Sequence, residues 1–188
     1  MNQDKQEIEE TRKSKFELLI IVIKSIFSLH FIKATMSSFA YYLFEHVYWR
    51  FSIHTERYVR IHSSVSIRNA QNIWIGYDTR ITKGSIIWAG EHSKITLGDN
   101  VLVGPYVQFH ATNHGYKTGE GPMTYQKRNE KDIFVGDDVW IGGGSVILSG
   151  VTLADGIIVA ANSTVTKSFT EKNIIIGGVP AKKIKKRD

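Results

Sequence analysis

The chain has 188 residues, 42% of them hydrophobic and 22% charged, with no cysteine and a formal charge of +6. These values exclude a disulfide-stapled scaffold, a thiol nucleophile, a cysteine zinc site and wholesale disorder, and they favour a reducing compartment. The excess positive charge favours anionic partners such as phosphates or anionic lipid, and it is uneven: Lys182, Lys183, Lys185, Lys186 and Arg187 all fall within the last seven residues.

Residues 1–15 are polar and charged. From Phe16 to Ile32 the chain reads FELLIIVIKSIFSLHFI, the apolar and aromatic character continues to Phe51, and no Pro or Gly occurs before Gly76. This predicts a helical segment without a breaker, placed over residues 1–52 together with its polar start. Glu17, Lys24, Ser28 and Thr35 are spaced 7, 4 and 7, which puts them on one helical stripe with apolar residues around the rest. A membrane crossing needs about 20 apolar residues without charge, and Lys24 interrupts this run. No signal-peptide cleavage pattern follows it. Two readings are open. The favoured one packs the helices against an end of the following domain or a partner subunit, because an open coil exposes unpaired strand edges. The other lays residues 16–50 as a peripheral contact on a membrane surface. The expected location is cytoplasmic, or peripheral to the inner face of the membrane.

From residue 53 onward an internal repeat dominates. Val135, Ile141, Ile147, Leu153, Val159 and Val165 are six apart and all aliphatic, and the positions four further on (Val139, Ser145, Val151, Ile157, Ser163) are small or aliphatic. Leu97, Val103 and Phe109 form an earlier set, and Ile75, Ile81 and Ile87 another. Ile61 and Ile67 are a weaker start, with phase slips between Ile67 and Ile75 and around Trp88 to Lys94. A period of six matches neither the strand period of two nor the helical 3.6. It fits a three-sided coil in which each face is a short strand with its aliphatic pointing inward, about eighteen residues to the turn. Glycine often follows that aliphatic (Gly76, Gly98, Gly104, Gly136, Gly142), where a corner calls for positive φ or close backbone approach. The prediction is an all-β solenoid, a parallel β-helix over residues 53–188.

Between His110 and Lys131 the repeat stops, in a segment without Leu, Ile or Val. Such a segment must protrude, and a structureless loop of this length in a compact domain is usually functional. It sets His110 and His114 where the coil gives way to the loop.

These features resemble the hexapeptide-repeat acyltransferases over about residues 59–188. The resemblance rests on the hexads, the loop opening with Asn113-His114, the run VGDDVWIGGGSVILSGV (Val135–Val151) and GGVPAKKI (Gly177–Ile184). Within that family the chain looks most like the sugar and cell-surface polysaccharide O-acetyltransferases. The resemblance implies a left-handed winding, a homotrimer with active sites between subunits, acetyl-CoA as donor, no metal, and a sugar or glycan hydroxyl as acceptor. It implies His114 as general base beside Asn113, attacking the thioester directly through the acceptor. His110 and Tyr116 are the acceptor-side candidates, His110 either pointing into that site or capping the coil. Trp140, Gly142 and Gly143 are assigned to the thioester and pantetheine, with the Gly143 amide as oxyanion donor. Many relatives carry a small polar residue at Gly143, so only its backbone role transfers. Ala161, Thr166 and Lys167 are assigned to pantetheine and nucleotide. Lys182 and Lys185, in the basic tail 177–188, are assigned to the CoA phosphates.

The alternatives are N-acetyl transfer to an amino sugar or antibiotic, a zinc-dependent hydratase of gamma-carbonic-anhydrase type using His92, His110 and His114, and a non-catalytic glycan-binding solenoid. Nucleic acid is not an expected partner, because the aromatics interleave with aliphatics rather than with Arg and Lys.

Overall fold

The computed structural model describes residues 13–188, so residues 1–12 of the expected polar start lie outside the described residues. The chain divides into two compact units between Leu43 and Phe44. The sequence reading puts the division at 52/53, because the aromatic run looks continuous. In the structure Glu45 and Trp49 are already buried, 4% and 3% exposed, within the second unit.

In the first unit, helix α1 (Lys15–Ile26) opens with a reciprocal cap: Glu17 N–H donates to Ser14 Oγ at 3.2 Å, and Ser14 N–H donates to the Glu17 carboxylate at 2.8 Å. Two otherwise orphaned donors are thereby satisfied. The expected unbroken helix stops at Phe27. Ser28 then caps helix α2 (Leu29–His46), its Oγ accepting from Phe31 N–H at 3.1 Å. A serine hydroxyl that competes for backbone donors ends one helix and starts the next, with neither Pro nor Gly required.

The second unit is built on three parallel sheets that the chain visits in rotation. The first holds His54–Thr55, Ile73–Ile75, Ile95–Leu97, Ile133–Val135 and Thr152–Leu153; the third holds Ser66–Arg68, Ile86–Trp88, Gln108–His110, Val146–Leu148 and Thr164–Val165. The second has Arg60–Ile61, Arg80–Ile81, Leu102–Val103, Trp140–Ile141, Ile158–Val159 and Ile174–Gly178, and is finished by Ala181–Lys186 running antiparallel. Ile141 pairs with Val159, a step of 18 residues. Ile75 pairs with Leu97 at a step of 22, and Leu97 with Val135 at 38. The extra four and twenty residues are the excursion near Ala89–Lys94 and the long loop.

The six-residue period is realised as buried columns. Ile67, Ile87, Phe109, Ile147 and Val165 stack in one sheet, all 3% exposed or less. Each such side chain contributes about 1.5–3 kcal/mol on burial. The glycine after an inward aliphatic proves to be a matter of close approach rather than positive φ. Gly98 has an ordinary φ, yet a Cβ there would sit 2.8 Å from the Gly136 carbonyl of the next turn. Positive φ falls two residues later, at Asp78, Asn100 and Asp138, residue types whose short polar side chains tolerate it.

The long loop is not structureless. Thr112–Asn113 and Asn129–Glu130 form an antiparallel pair at its base. Gln126, 8% exposed, ties the far part together: its Nε2 donates to the Lys117 and Gly121 carbonyls, and its Oε1 accepts from Lys117 N–H at 2.8 Å. The loop lacks an aliphatic core, and a buried amide supplies its order.

Candidate active site

The base of the loop and the outer side of the third sheet enclose a cavity of about 310 Å³. Arg68, Trp88 and His110 come from adjacent strands of that sheet, in register. Asn113, His114, Arg128 and Glu130 come from the loop's paired base and its flanks. His110, Asn113 and His114 are thus brought into one cavity. Tyr116 does not line it and is 79% exposed. It lies past the paired base of the loop, where the chain leaves the sheet.

Each wall of this cavity is fixed by a traceable contact. The Asn113 amide donates to Ser149 Oγ at 2.8 Å, pinning the strand that precedes His114 to the coil. His110 meets the Trp88 ring edge-on, with centroids 5.5 Å apart, and its Nε2 hydrogen-bonds Gln108 Oε1 at 2.9 Å. The amide oxygen can only accept, so the Nε2–H tautomer is present and Nδ1 is left as an acceptor. The Arg68 guanidinium lies 3.9 Å from the Trp88 centroid and donates twice to Glu45 Oε1, at 2.8 and 3.2 Å. Ser66 hydroxyl donates to the other Glu45 oxygen and accepts from Trp88 Nε1 at 3.0 Å. Glu45 is buried, and it orients Arg68 and, through Ser66 and Arg68, the Trp88 ring. Removing one partner of a buried pair leaves a costly unpaired charge, here moderated because the Arg68 side chain is 40% exposed. Glu45→Gln is expected to lower the unfolding free energy measured in urea by about 1–2 kcal/mol, less than a fully buried pair would cost.

Burial holds the His110 imidazole below its ordinary value of 6.5, so it is neutral at pH 7. The unfolded chain protonates this ring first as pH falls, and protons bound only by the unfolded state favour it. Stability from this group is therefore full above pH 6.5 and lost as pH drops toward the lowered folded value. Urea titrations are expected to show a shallower acid decline in His110→Gln than in the parent protein.

The residues assigned to the donor fall elsewhere. Trp140 projects outward from the second sheet, 52% exposed, in an outward column running Arg80, Leu102, Trp140, Ile158, Ile175 and Lys185. Gly142 and Gly143 form the following corner. A Cβ on Gly142 would lie 2.5 Å from Ala161 N, so Gly142 lets the two turns of chain carrying Trp140 and Ala161 approach. Thr166 and Lys167 follow the last strand of the third sheet, both exposed, with Lys167 Nζ 5.8 Å from the Phe169 centroid. The basic tail is the edge strand of the second sheet. Its Lys185 pairs with Asp188 at 2.8 Å and Lys183 with Glu171 at 2.6 Å, whereas Lys182 has no ion pair among the described residues. The Lys183 ammonium beside Glu171 and the Lys185 ammonium beside Asp188 hold those carboxylates below the usual range. None of these donor residues lines the cavity of His114.

Arg68, Trp88, Arg128, Glu130 and Glu45 were not singled out from the sequence. A signal was present for two of them: Arg68, Trp88 and His110 each follow an inward aliphatic or aromatic residue by one position (Ile67, Ile87, Phe109). Among the described residues no group of three His, Cys, Asp or Glu side chains within the one chain is disposed to hold a metal ion.

A coil of three parallel sheets with six-residue columns has direct counterparts. The family model "Bacterial transferase hexapeptide (six repeats)" matches residues 132–167. A hexapeptide-repeat-containing acetyltransferase from Vibrio cholerae is 30% identical, with a TM-score of 0.66, over 74% of this chain and 77% of that one. A maltose O-acetyltransferase from Clostridium difficile is 27% identical at a TM-score of 0.66, over 74% of this chain and 73% of that one. A probable macrolide acetyltransferase of Lysinibacillus sphaericus is 55% identical over 66 residues, 35% of this chain and 36% of that protein. The chain spans less than half the length of the curated relatives it matches. This chain belongs to the hexapeptide-repeat acyltransferase family.

Proposed function

We propose that the protein transfers an acetyl group from acetyl-CoA to a hydroxyl of a sugar or cell-surface polysaccharide precursor. The carrying observation is the cavity that gathers His114, His110, Arg68 and Trp88, with polar and aromatic walls suited to a sugar's hydroxyls and its apolar ring face. The crystallisation of the Vibrio cholerae relative with acetyl coenzyme A supports the donor, and the maltose O-acetyltransferase likeness supports the acceptor class.

His114 takes the proton of the acceptor hydroxyl, whose oxygen attacks the thioester carbonyl. The Gly143 amide holds the oxyanion that develops. On collapse the C–S bond breaks, and the His114 imidazolium returns its proton to the departing thiolate. No bond to the enzyme forms. The apolar outward column around Trp140 would carry the pantetheine arm, Ala161, Thr166 and Lys167 its far portion and the nucleotide, and the tail lysines the phosphates.

The donor residues and the His114 cavity lie on different surfaces of the one chain, which supports a site completed by a neighbouring subunit. We take the coil to be a closed left-handed prism and the assembly a homotrimer, working in the cytoplasm where acetyl-CoA is available. The macrolide acetyltransferase likeness favours a second reading within the same chemistry, a drug hydroxyl as acceptor.

The direct test is a colorimetric thiol-release assay with acetyl-CoA and a panel of galactosides, maltose, glycan fragments and macrolides. Release that depends on one of these acceptors supports the reading, and release that depends on none overturns it. The phosphate assignment has its own test. Lys182→Ala is expected to weaken CoA by about tenfold but dephospho-CoA little, the effect of losing one charge-assisted contact. Lys185→Ala is expected to cost less, because Asp188 already occupies its ammonium. Equal losses for both ligands in calorimetry would reject a 3′-phosphate contact.

A further inference from the structure

We infer that the first unit is a monotopic anchor that seats α1 and α2 in one leaflet of an anionic bilayer. No residue from 13 to 44 is buried. In α1, Leu18, Leu19, Ile21, Val22 and Ile23 are all 41–53% exposed. At 100° per residue these positions cover about 200° of the circumference, and Glu17 and Lys24 fall together in the remaining arc. A broad apolar arc beside a narrow charged stripe suits a helix lying in the plane of a membrane interface, with its apolar side in the acyl region and its charges toward the headgroups.

Charge points the same way. Residues 13–43 contain Lys13, Lys15, Lys24 and Lys33 against Glu17 alone, a net of +3 (four minus one), while Asp4, Glu7, Glu9 and Glu10 against Lys5 and Arg12 bring the sequence 1–43 to +1. A cytoplasmic leaflet surface is negative and attracts such lysines, and Lys24, inside the apolar run, has a stem long enough to bring its ammonium to the headgroups. The polar side chains at the break need no water. Ser25 Oγ donates to the Ile21 carbonyl at 2.7 Å, Ser28 Oγ donates to the Ser25 carbonyl at 2.7 Å, and Ser28 Oγ accepts from Phe31 N–H. Internal satisfaction of this kind is what a bilayer demands. Toward its C-terminal end α2 presents Tyr41 and Tyr42, both exposed, a residue type enriched at the headgroup level.

Length sets the depth. Twelve residues of α1 span about 18 Å and eighteen of α2 about 27 Å, short of a hydrocarbon core of about 30 Å. No single helix is long and apolar enough to cross; the two together have the length and composition, but only as a broken run bent by 63°, with Lys24 just before the break. The pair therefore lies in the interface of one leaflet. Such an anchor holds the second unit at a surface where acceptors carried on lipid are concentrated.

The test is flotation of the full-length protein with vesicles of phosphatidylcholine alone or phosphatidylcholine mixed with phosphatidylglycerol, at low and high salt. The protein is expected to float with the mixed vesicles at low salt, and about tenfold less in high salt or with phosphatidylcholine alone. Leu19→Asp with Ile23→Asp is expected to abolish flotation in every condition. Lys13, Lys15, Lys24 and Lys33 changed together to Gln is expected to remove only the preference for phosphatidylglycerol. Unchanged acetyl-CoA binding, or an unchanged circular dichroism spectrum if no variant binds it, would show that the second unit stays folded. A protein that stays at the bottom of the gradient with both vesicles overturns the anchor. So does light scattering that shows an oligomer without lipid which the Asp pair dissolves, since the apolar helices would then be covered by further copies of this chain.

Discussion

Replacing His114 with alanine is expected to lower turnover by about 10²-fold or more while leaving acetyl-CoA affinity within about twofold. That is the usual range for loss of a general base, and 10²-fold corresponds to about 2.7 kcal/mol of transition-state stabilisation. The split follows from position. His114 lines the cavity on the loop, and none of the residues assigned to the donor shares that cavity. Steady-state rates and calorimetric titration with acetyl-CoA check the two halves separately. Equal turnover in the variant would remove His114 from the proton transfer, and the remaining imidazole in the cavity, His110, would take its place as the residue to test. Asn113→Ala is expected to act more mildly, mainly through kcat, because it releases the tie to Ser149 that pins the strand before His114.

Phe109→Ala is expected to destabilise the second unit by about 3–5 kcal/mol, the cost of a large core truncation with its cavity. Phe109 is fully buried between Ile87 and Ile147 in its column, and a rigid stack of parallel strands has little freedom to collapse into the gap. Urea unfolding at fixed protein concentration measures it, since any assembly makes the midpoint depend on concentration. The paired control is Phe134→Ala, an outward phenylalanine 46% exposed, expected to cost under about 1 kcal/mol. Equal costs would mean that the inward columns are not what holds the coil. The adjacent His110 makes Phe109 informative twice over: a loosened strand there is expected to raise the KM for the acceptor as well.

The coil was legible because its signal is local and redundant. One inward aliphatic every six residues is written out from Val135 to Val165, and every one of those positions is buried. Breaks in phase were legible as breaks, and they became the excursion near Ala89–Lys94 and the long loop. The loop's two histidines were legible as a pair because they flank the point where the repeat fails. The order inside the loop was not, because it comes from Gln126 bonding to backbone carbonyls of Lys117 and Gly121, and an amide carries no periodic trace. The break at Ser28 was missed for a similar reason: a hydroxyl that caps one helix looks in sequence like any polar residue on the stripe.

The sequence by itself determined the six-residue coil, the place of its interruption, the residues that fill its interior, and the candidacy of His110, Asn113 and His114. These follow from periodicity and chain order, which short strands convert into structure without reference to distant residues. Only the tertiary structure decided which outward side chains meet. Arg68, Trp88 and His110 are separated by steps of 20 and 22 residues, and their stacking depends on how many residues each excursion inserts per turn. Glu45 reaches Arg68 and Ser66 across the chain from a helix whose own pattern reads as apolar. The separation of the histidine cavity from the residues assigned to the donor is likewise a property of faces, because residues one corner apart in sequence point in different directions once the coil is wound.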